Sequence, residues 1–557
     1  MSAPATGRRL LGQILKAQGK LNEGQIQEGL GAQRKHGGLI GQCLIELGHV
    51  TSSDIARALA EQAGLESVDL DRRASDEAAR ALVDGSTARA YGVLPLSIEG
   101  RTLVVALSDP LNTAVLEDLR FVTGLEVRGL LADATKIAEL VRTHYGDGGS
   151  LADAIAQAAG VKGGDVESAA SSAPVVRLLN SILFRAIKDR ASDVHFETYE
   201  NEFRIRFRVD GALYEVEAPP AHLALPLIAR IKVMADLDIA ETRLPQDGRI
   251  ELAIDGRPVD LRVATMPGIS GEGCVLRVLD RSAVSLDLAA LGMPPEDELV
   301  VRELTELPHG IVLVTGPTGS GKTTTLYAML ATANRPDVKI VTAEDPVEYD
   351  IEGIVQVPIH EEIGVTYERV LRTVLRQDPD KILIGEIRDR ETAAVAIEAS
   401  LTGHAVFSTL HTNDAPSSVT RLIDMGIEPF LISATLEAVV AQRLVRTLCG
   451  ECRTEYQPEE DAWIELGPDG AALRGRPLWY GKGCELCHHT GYRGRVGVFE
   501  IMRIDQAIKD AILARASTDE LRQLAVLARM RTLRQSGVAL LAAGRTTLEE
   551  VLRETGF

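Results

Sequence analysis

The chain has 557 residues, 45% hydrophobic and 25% charged, a soluble globular balance in a chain too long for one core, so two to four domains are expected. A formal charge of −20 makes any encounter with a phosphate backbone or anionic lipid begin in repulsion, which argues against a nucleic-acid partner and routes membrane attachment through a protein. No apolar run approaches the roughly 18–20 residues of a spanning helix, and Met1 to Arg9 lacks the pattern of a secretory signal, so the cytoplasm is the expected location.

Residues 10–62 contain a duplication. Leu11, Gly12, Leu15, Gly19, Ile26, Leu30 and Gln33 recur as Ile40, Gly41, Leu44, Gly48, Ile55, Leu59 and Gln62, each 29 positions later, which marks a repeated supersecondary unit. Apolar residues three or four apart and a glycine closing the first segment predict two small helices per copy. Leu94 to Leu107 alternates as two strands around the Glu99-Gly100 turn, and Leu116 to Leu125 reads as a helix, so residues 1–145 form a mixed α/β domain. Residues 146–173 shift to Gly, Ala, Ser and Asp, with helical pattern only over Leu151 to Ala159, and read as a flexible linker.

Residues 174–285 begin with helical periodicity over Val175 to Ala186 and then alternate charge with apolar residues from Glu202 to Val209, ahead of an Asp210-Gly211 turn. That is the signature of an α+β domain with a hairpin. Through residues 286–557 the short apolar runs Ile311 to Thr315, Lys339 to Thr342, Lys381 to Ile384 and Ala405 to Ser408 alternate with helical segments. The rhythm predicts a parallel sheet covered by helices, and the whole chain is multidomain α/β.

The first of those runs leads into Gly316-Pro317-Thr318-Gly319-Ser320-Gly321-Lys322-Thr323, with Thr324 beside it, and a helical segment follows. This is a phosphate-binding loop in its proper strand-loop-helix setting: glycines let successive N–H groups turn to one anion, Lys322 reaches the β and γ phosphates of ATP, and the Thr323 hydroxyl ligates Mg²⁺. Glu386 follows the strand Lys381 to Ile384, where it can hold the water of Mg²⁺ or the attacking water. The acids of Glu344-Asp345-Pro346-Val347-Glu348 follow Lys339 to Thr342. Glu344, nearest the strand, is the preferred general base, with Asp345 and Glu348 as alternatives. His404 and His411 flank the fourth run, and His411 is the better candidate to report on the γ phosphate. Cys449, Cys452, Cys484 and Cys487 form two Cys-x-x-Cys pairs, the spacing of a structural Zn²⁺ site within about residues 446–497. Cys43 and Cys274 are isolated and expected to be buried.

The order of phosphate loop, Glu-Asp-Pro-Val-Glu, Gly385-Glu386-Ile387-Arg388-Asp389 and the two histidines with six residues between them, followed by the tetracysteine module, resembles the ATPases of type II secretion and type IV pilus assembly over nearly the whole chain. Ser192-Asp193-Val194-His195-Phe196-Glu197 and Arg243-Leu244-Pro245-Gln246-Asp247-Gly248-Arg249 are similar to further signatures of that family. The resemblance implies a homohexameric motor at the inner membrane, with a RecA-like ATPase domain and a PAS-like second domain that close over nucleotide at a subunit boundary. It implies that Arg208 and Arg230 reach the phosphates and that Arg372 and Arg376 lie at the subunit boundary. It also implies two partners, an inner-membrane platform protein and the cytoplasmic docking segment of a bitopic membrane protein. The tetracysteine module sets the chain apart from pilus-retraction ATPases, and the segments Ala399 to His404 and Val419 to Gly426 look more like the secretion branch than the pilus-assembly branch. The duplication resembles a motif that binds cyclic di-GMP, although the family's arginine before Leu-Gly is replaced by Leu10 and Leu39, with Arg8 and Arg9 nearby.

Overall fold

The computed structural model describes residues 11–36, 40–63, 66–83, 85–108, 114–145, 151–160, 166–254, 257–280 and 286–556. The chain divides into two compact units, residues 1–283 and 284–557. No described helix is long and apolar enough to cross a membrane.

In the first unit the duplication is two helix pairs, α1 (Leu11–Ala17) with α2 (Glu23–His36), and α3 (Ile40–Glu46) with α4 (Ser52–Ala63). Gly19 and Gly48 end the first helix of each pair at φ 70° and 71°, a left-handed conformation that lets the chain turn without a Cβ clash. Gly12 packs on Ile26 and Gly41 on Ile55, so the same close approach recurs in both copies. The copies share one small core, in which Leu15 and Leu44 are fully buried. Leu10, Leu39, Arg8 and Arg9 lie outside the described residues.

Strands β1 (Val93–Glu99), β2 (Thr102–Leu107) and β3 (Glu126–Leu131) follow; β1 pairs antiparallel with β2, and β2 parallel with β3. Within the segment whose composition predicts a mobile connector, the described residues form the helix Leu151–Ala158, where the sequence has its helical pattern, and a second helix, Val166–Ala170, and these bury Leu151, Ala154, Ala158 and Ala170. The reason is that alanine, which lowers the complexity of the segment, is also the best helix former and permits close helix packing. The helix Ala173–Lys188 leads into a six-stranded antiparallel sheet of β4 (Asp193–Thr198), β5 (Phe203–Val209), β6 (Ala212–Val216), β7 (Gln246–Ile254), β8 (Arg257–Gly268) and β9 (Gly271–Asp280), in the order β6-β5-β4-β9-β8-β7. Phe203, Ile205 and Phe207 alternate into the core along β5, as the charge-apolar alternation requires.

The second unit is built on seven strands: β10 (Gly310–Thr315), β11 (Ile340–Glu344), β12 (Val355–Pro358), β13 (Lys381–Ile384), β14 (Ala405–Leu410), β15 (Leu436–Leu448) and β18 (Tyr492–Arg503). Their order is β12-β11-β13-β14-β10-β15-β18, and only β18 runs antiparallel to its neighbour. Ile311 and Leu313 of β10 face one hydrophobic cluster, while Val312 and Val314 face the other. Burial on both faces explains why these strands read as continuous apolar runs. β15 and β18, the long pair that the apolar-run rhythm does not reveal, bracket an insertion with the small hairpin β16 (Arg453–Tyr456) and β17 (Leu478–Gly481). The insertion has its own apolar cluster, with Trp463 and Leu478 packed against Leu541 and Val551 of the last helices.

Candidate functional site

β10 stops at Thr315, and the loop that follows takes conformations closed to residues with side chains: Gly316, Gly319 and Gly321 have φ of 150°, 80° and 86°. A Cβ on Gly316 would lie 2.4 Å from the Gln442 carbonyl oxygen. Gly321 caps the helix Lys322–Ala333, so the loop ends at that helix's positive pole. The Ser320 hydroxyl is buried with no hydrogen-bond partner, while Lys322 Nζ donates to the carbonyls of Gly316 at 2.9 Å and Pro317 at 3.0 Å. Thr318, Gly319 and Thr323 are exposed and Thr324 is half-buried. An orphaned buried hydroxyl, a cradle without side chains and a lysine turned onto its own loop form a polyanion site, and these residues fit the phosphates of ATP with Mg²⁺ at Thr323. Burial pulls the Lys322 ammonium down to about 8; Glu386 opposes that shift and the like charge of Arg443 adds to it.

Parallel strands bring their carboxyl ends to one edge, and the acids lie there. Glu344, the last residue of β11, is 3% exposed. Its carboxylate accepts hydrogen bonds from the Tyr327 hydroxyl, from Thr342 Oγ1 at 2.5 Å and from Gln356 Nε2 at 3.1 Å. Burial, together with this carboxylate, pushes the Tyr327 phenol above its ordinary range, so it remains a proton donor. Asp345 is exposed and Glu348 half-buried. Glu386 pairs with Arg388 and lies 3.3 Å from His411 Nε2. A cavity of about 330 Å³ opens beside them, lined in part by Arg388, His411 and Arg421. His404 sits at the opposite end of β14, its ring 2.9 Å from the Ala399 carbonyl, so it closes a turn and takes no part in this constellation.

The four cysteines come together. Sγ separations are 3.9 Å for Cys449–Cys484, 3.8 Å for Cys452–Cys487 and 3.7 Å for Cys484–Cys487, and all four atoms lie within 4.8 Å of one another. A tetrahedral metal with bonds of about 2.3 Å to sulfur requires edges of about 3.8 Å, so the donor set fits. Burial would raise the Cys487 thiol, but the N–H groups of Cys484 at 3.2 Å and Gly491 at 3.3 Å point at its sulfur and bring it down to about 7. Cys43 and Cys274 are buried, and burial pushes the Cys274 thiol up to about 12.

Residues 168–553 match the family described as type II/IV secretion system protein. The chain belongs to the type II/IV secretion system protein family. It is a P-loop ATPase. A further match, to the MshEN domain, covers residues 63–151, downstream of the duplicated helices. Among similar proteins, the type IV pilus assembly ATPase PilB of Myxococcus xanthus is 42% identical, covering 98% of each chain. The type II secretion system protein E of Aeromonas hydrophila is 45% identical, covering 84% of this chain and 95% of its own. The Yersinia pseudotuberculosis ATPase DotB shares the fold at a TM-score of 0.50 and 21% identity, over 68% of this chain and 93% of its own.

In this secretion-family ATPase the four arginines singled out from sequence fall in different surroundings. Arg372 lies on the exposed face of the helix Tyr367–Val374, 2.9 Å from Glu368, and Arg376 is exposed just beyond that helix. Arg208 and Arg230 belong to the first unit and find partners there. Arg208 donates to the Gly211 carbonyl at 2.9 Å and is 3.6 Å from Asp193. Arg230, on the helix Ala224–Met234, is 5% exposed and lies 2.7 Å from Asp118 Oδ2, which also accepts from the Tyr91 hydroxyl at 2.8 Å. Sequence reasoning missed Tyr327, which donates to Glu344, and Gln442 and Arg443, which lie beside Gly316. The last two lie in a strand that also carries Glu437, Arg446 and Thr447, so the sequence of β15 does not single them out.

Proposed function

We propose that this ATPase is a homohexameric motor that powers type II protein secretion, working at the cytoplasmic side of the inner membrane through protein partners. In this reading it drives an inner-membrane platform so that pilin-like subunits enter a growing fibre, and it is held there by the cytoplasmic docking segment of a bitopic membrane protein. The observation that supports it most is the phosphate loop at the carboxyl edge of the sheet, with Glu386 and His411 paired beside it. Glu344 is the general base, oriented by Tyr327, Thr342 and Gln356. Thr323 and Glu386 hold Mg²⁺, which would neutralise charge developing on the transferred phosphoryl group. Arg208, Arg230, Arg372 and Arg376 complete the site when domains and subunits close, which requires Arg230 to leave Asp118. Cys449, Cys452, Cys484 and Cys487 hold a structural Zn²⁺. The duplicated helix pairs and the adjoining MshEN match support cyclic di-GMP as a ligand of the amino-terminal domain.

A second reading, extension of type IV pili, draws support from the 98% mutual coverage with the Myxococcus xanthus pilus assembly ATPase. Glu386→Gln in the full-length protein tests the motor. Its ATPase rate is expected to fall by about 100-fold or more, with nucleotide binding kept. Equal rates in wild type and variant under assembled conditions would remove hydrolysis from the function. Complementation of secretion and of piliation in deletion strains separates the two branches.

A further inference from the structure

We infer that Arg443 is a positioning residue for ATP hydrolysis: its buried guanidinium ties the segment after β14 that carries His411 to the β15 backbone on which the phosphate loop rests, so that loop and segment move as one body when nucleotide binds. β15 runs parallel to β10 with Thr315 opposite Ala441, which puts Gln442 and Arg443 alongside the start of the loop. Alternation along the strand sends their side chains to opposite faces. Gln442 accepts from the Thr325 hydroxyl at 2.6 Å and fixes the start of the loop's helix. Arg443 turns the other way: Nη2 donates to the Asn413 carbonyl at 2.9 Å and Nη1 to the Gln442 carbonyl at 3.2 Å. Nη1 also lies 3.1 Å from the position a Cβ on Gly316 would take.

One planar fork therefore joins the Asn413 carbonyl to the Gln442 carbonyl against which Gly316 packs, a geometry a guanidinium offers and an ammonium does not. The segment is tied a second time where the Thr412 N–H donates to Thr315 Oγ1 at 3.0 Å. Arg443 is 2% exposed. A buried guanidinium is costly, and an apolar residue of similar size would fill the space without that penalty. Burial lowers its pKa while Glu554, Asp414 and Glu500 oppose the shift, so the cation is supported from a distance as it faces a loop built for a polyanion.

The inference rests on the proposed role of His411, and the test separates the two. Arg443→Lys and Arg443→Gln are compared with wild type in the full-length protein by steady-state ATPase, fluorescent-nucleotide titration and hydrogen exchange with a non-hydrolysable ATP analogue. Both variants are expected to lose about 10- to 100-fold in kcat while nucleotide affinity stays within about threefold, because positioning and not uniform binding is removed. The analogue should protect residues 411–414 in wild type and no longer do so in Arg443→Lys. Should Arg443→Gln fail to fold, Arg443→Lys carries the same readouts. Wild-type kcat in Arg443→Lys, or a loss confined to nucleotide affinity, overturns the inference. His411→Ala reports on the other reading: if it keeps full kcat while Arg443→Lys does not, the role of His411 falls and the tie through Arg443 stands.

Discussion

The phosphate loop and the tetracysteine cluster both depend on tight turns, yet they serve different ends. In the loop, Ser320 has no protein hydrogen-bond partner and Lys322 donates to the Gly316 and Pro317 carbonyls, a set of polar groups suited to an anion. In the cluster, the sulfur separations of 3.7–3.9 Å already match a metal's tetrahedron. The first is built for turnover, and the second joins two chain segments. Activity and stability should accordingly separate between them.

The largest effect expected is on the loop's side. Lys322→Ala should lower ATP hydrolysis by about 1,000-fold or more, roughly 4 kcal/mol of transition-state stabilisation, with the nucleotide-free melting temperature unchanged. Steady-state ATPase assays beside calorimetry check this, and a large drop in melting temperature would break the contrast by showing the loop to be structural as well. Next comes the cluster. Cys484→Ser, or chelation of the metal proposed for the cluster, should cost the insertion about 2–4 kcal/mol, since metal binding to such a site is coupled to folding. The core of the insertion, Trp463 and Leu478 with Leu541 and Val551, is distinct from the two clusters that flank the sheet. Hydrogen exchange should therefore show 449–495 opening first, with nucleotide affinity within about threefold of wild type.

A smaller effect sharpens the comparison within the loop itself. Gly316→Ala would place a methyl 2.4 Å from the Gln442 carbonyl oxygen at a φ of 150°, a strain of about 2–3 kcal/mol. The backbone can relieve it only by turning N–H groups away from the anion. Nucleotide affinity measured by fluorescence titration should fall by about 30- to 100-fold. An affinity equal to wild type would mean that the loop seen here is rebuilt when nucleotide binds.

These contrasts follow how much of each region was legible from residues alone. The loop and the cysteine pairs are contiguous motifs whose spacing encodes their geometry, and the apolar runs of the sheet announce burial on both faces. Arg443 and Gln442 were invisible to that reading because their importance comes from register: only the pairing of β15 with β10 brings them under Gly316. In the described part of the segment 146–173 the limit is a different one, since alanine is common to linkers and to tightly packed helices, and composition cannot tell a free alanine from the fully buried Ala158 and Ala170. Arg230 shows a third kind of limit. Its position in the chain suits an arginine that reaches phosphate, but in this conformation its partner is Asp118, 112 residues away in the chain, and no local pattern foretells that pair.

The smallest effect is one of pH, and it belongs to the loop alone. With Lys322 at about 8 before nucleotide binds, the lysine is cationic below that pH and neutral above it. Its pKa is depressed because burial disfavours the charged form, whereas phosphates beside it favour that form, so binding must take up a proton once the solution is more basic than about pH 8. One proton taken up per nucleotide weakens binding by about tenfold, or 1.4 kcal/mol, for each further pH unit. Affinity for a fluorescent ATP analogue should thus be nearly flat from pH 7 to about 8 and decline toward pH 9.5. The decline should vanish in Lys322→Arg, whose guanidinium stays charged throughout. If that variant keeps the same slope, the titrating group is elsewhere.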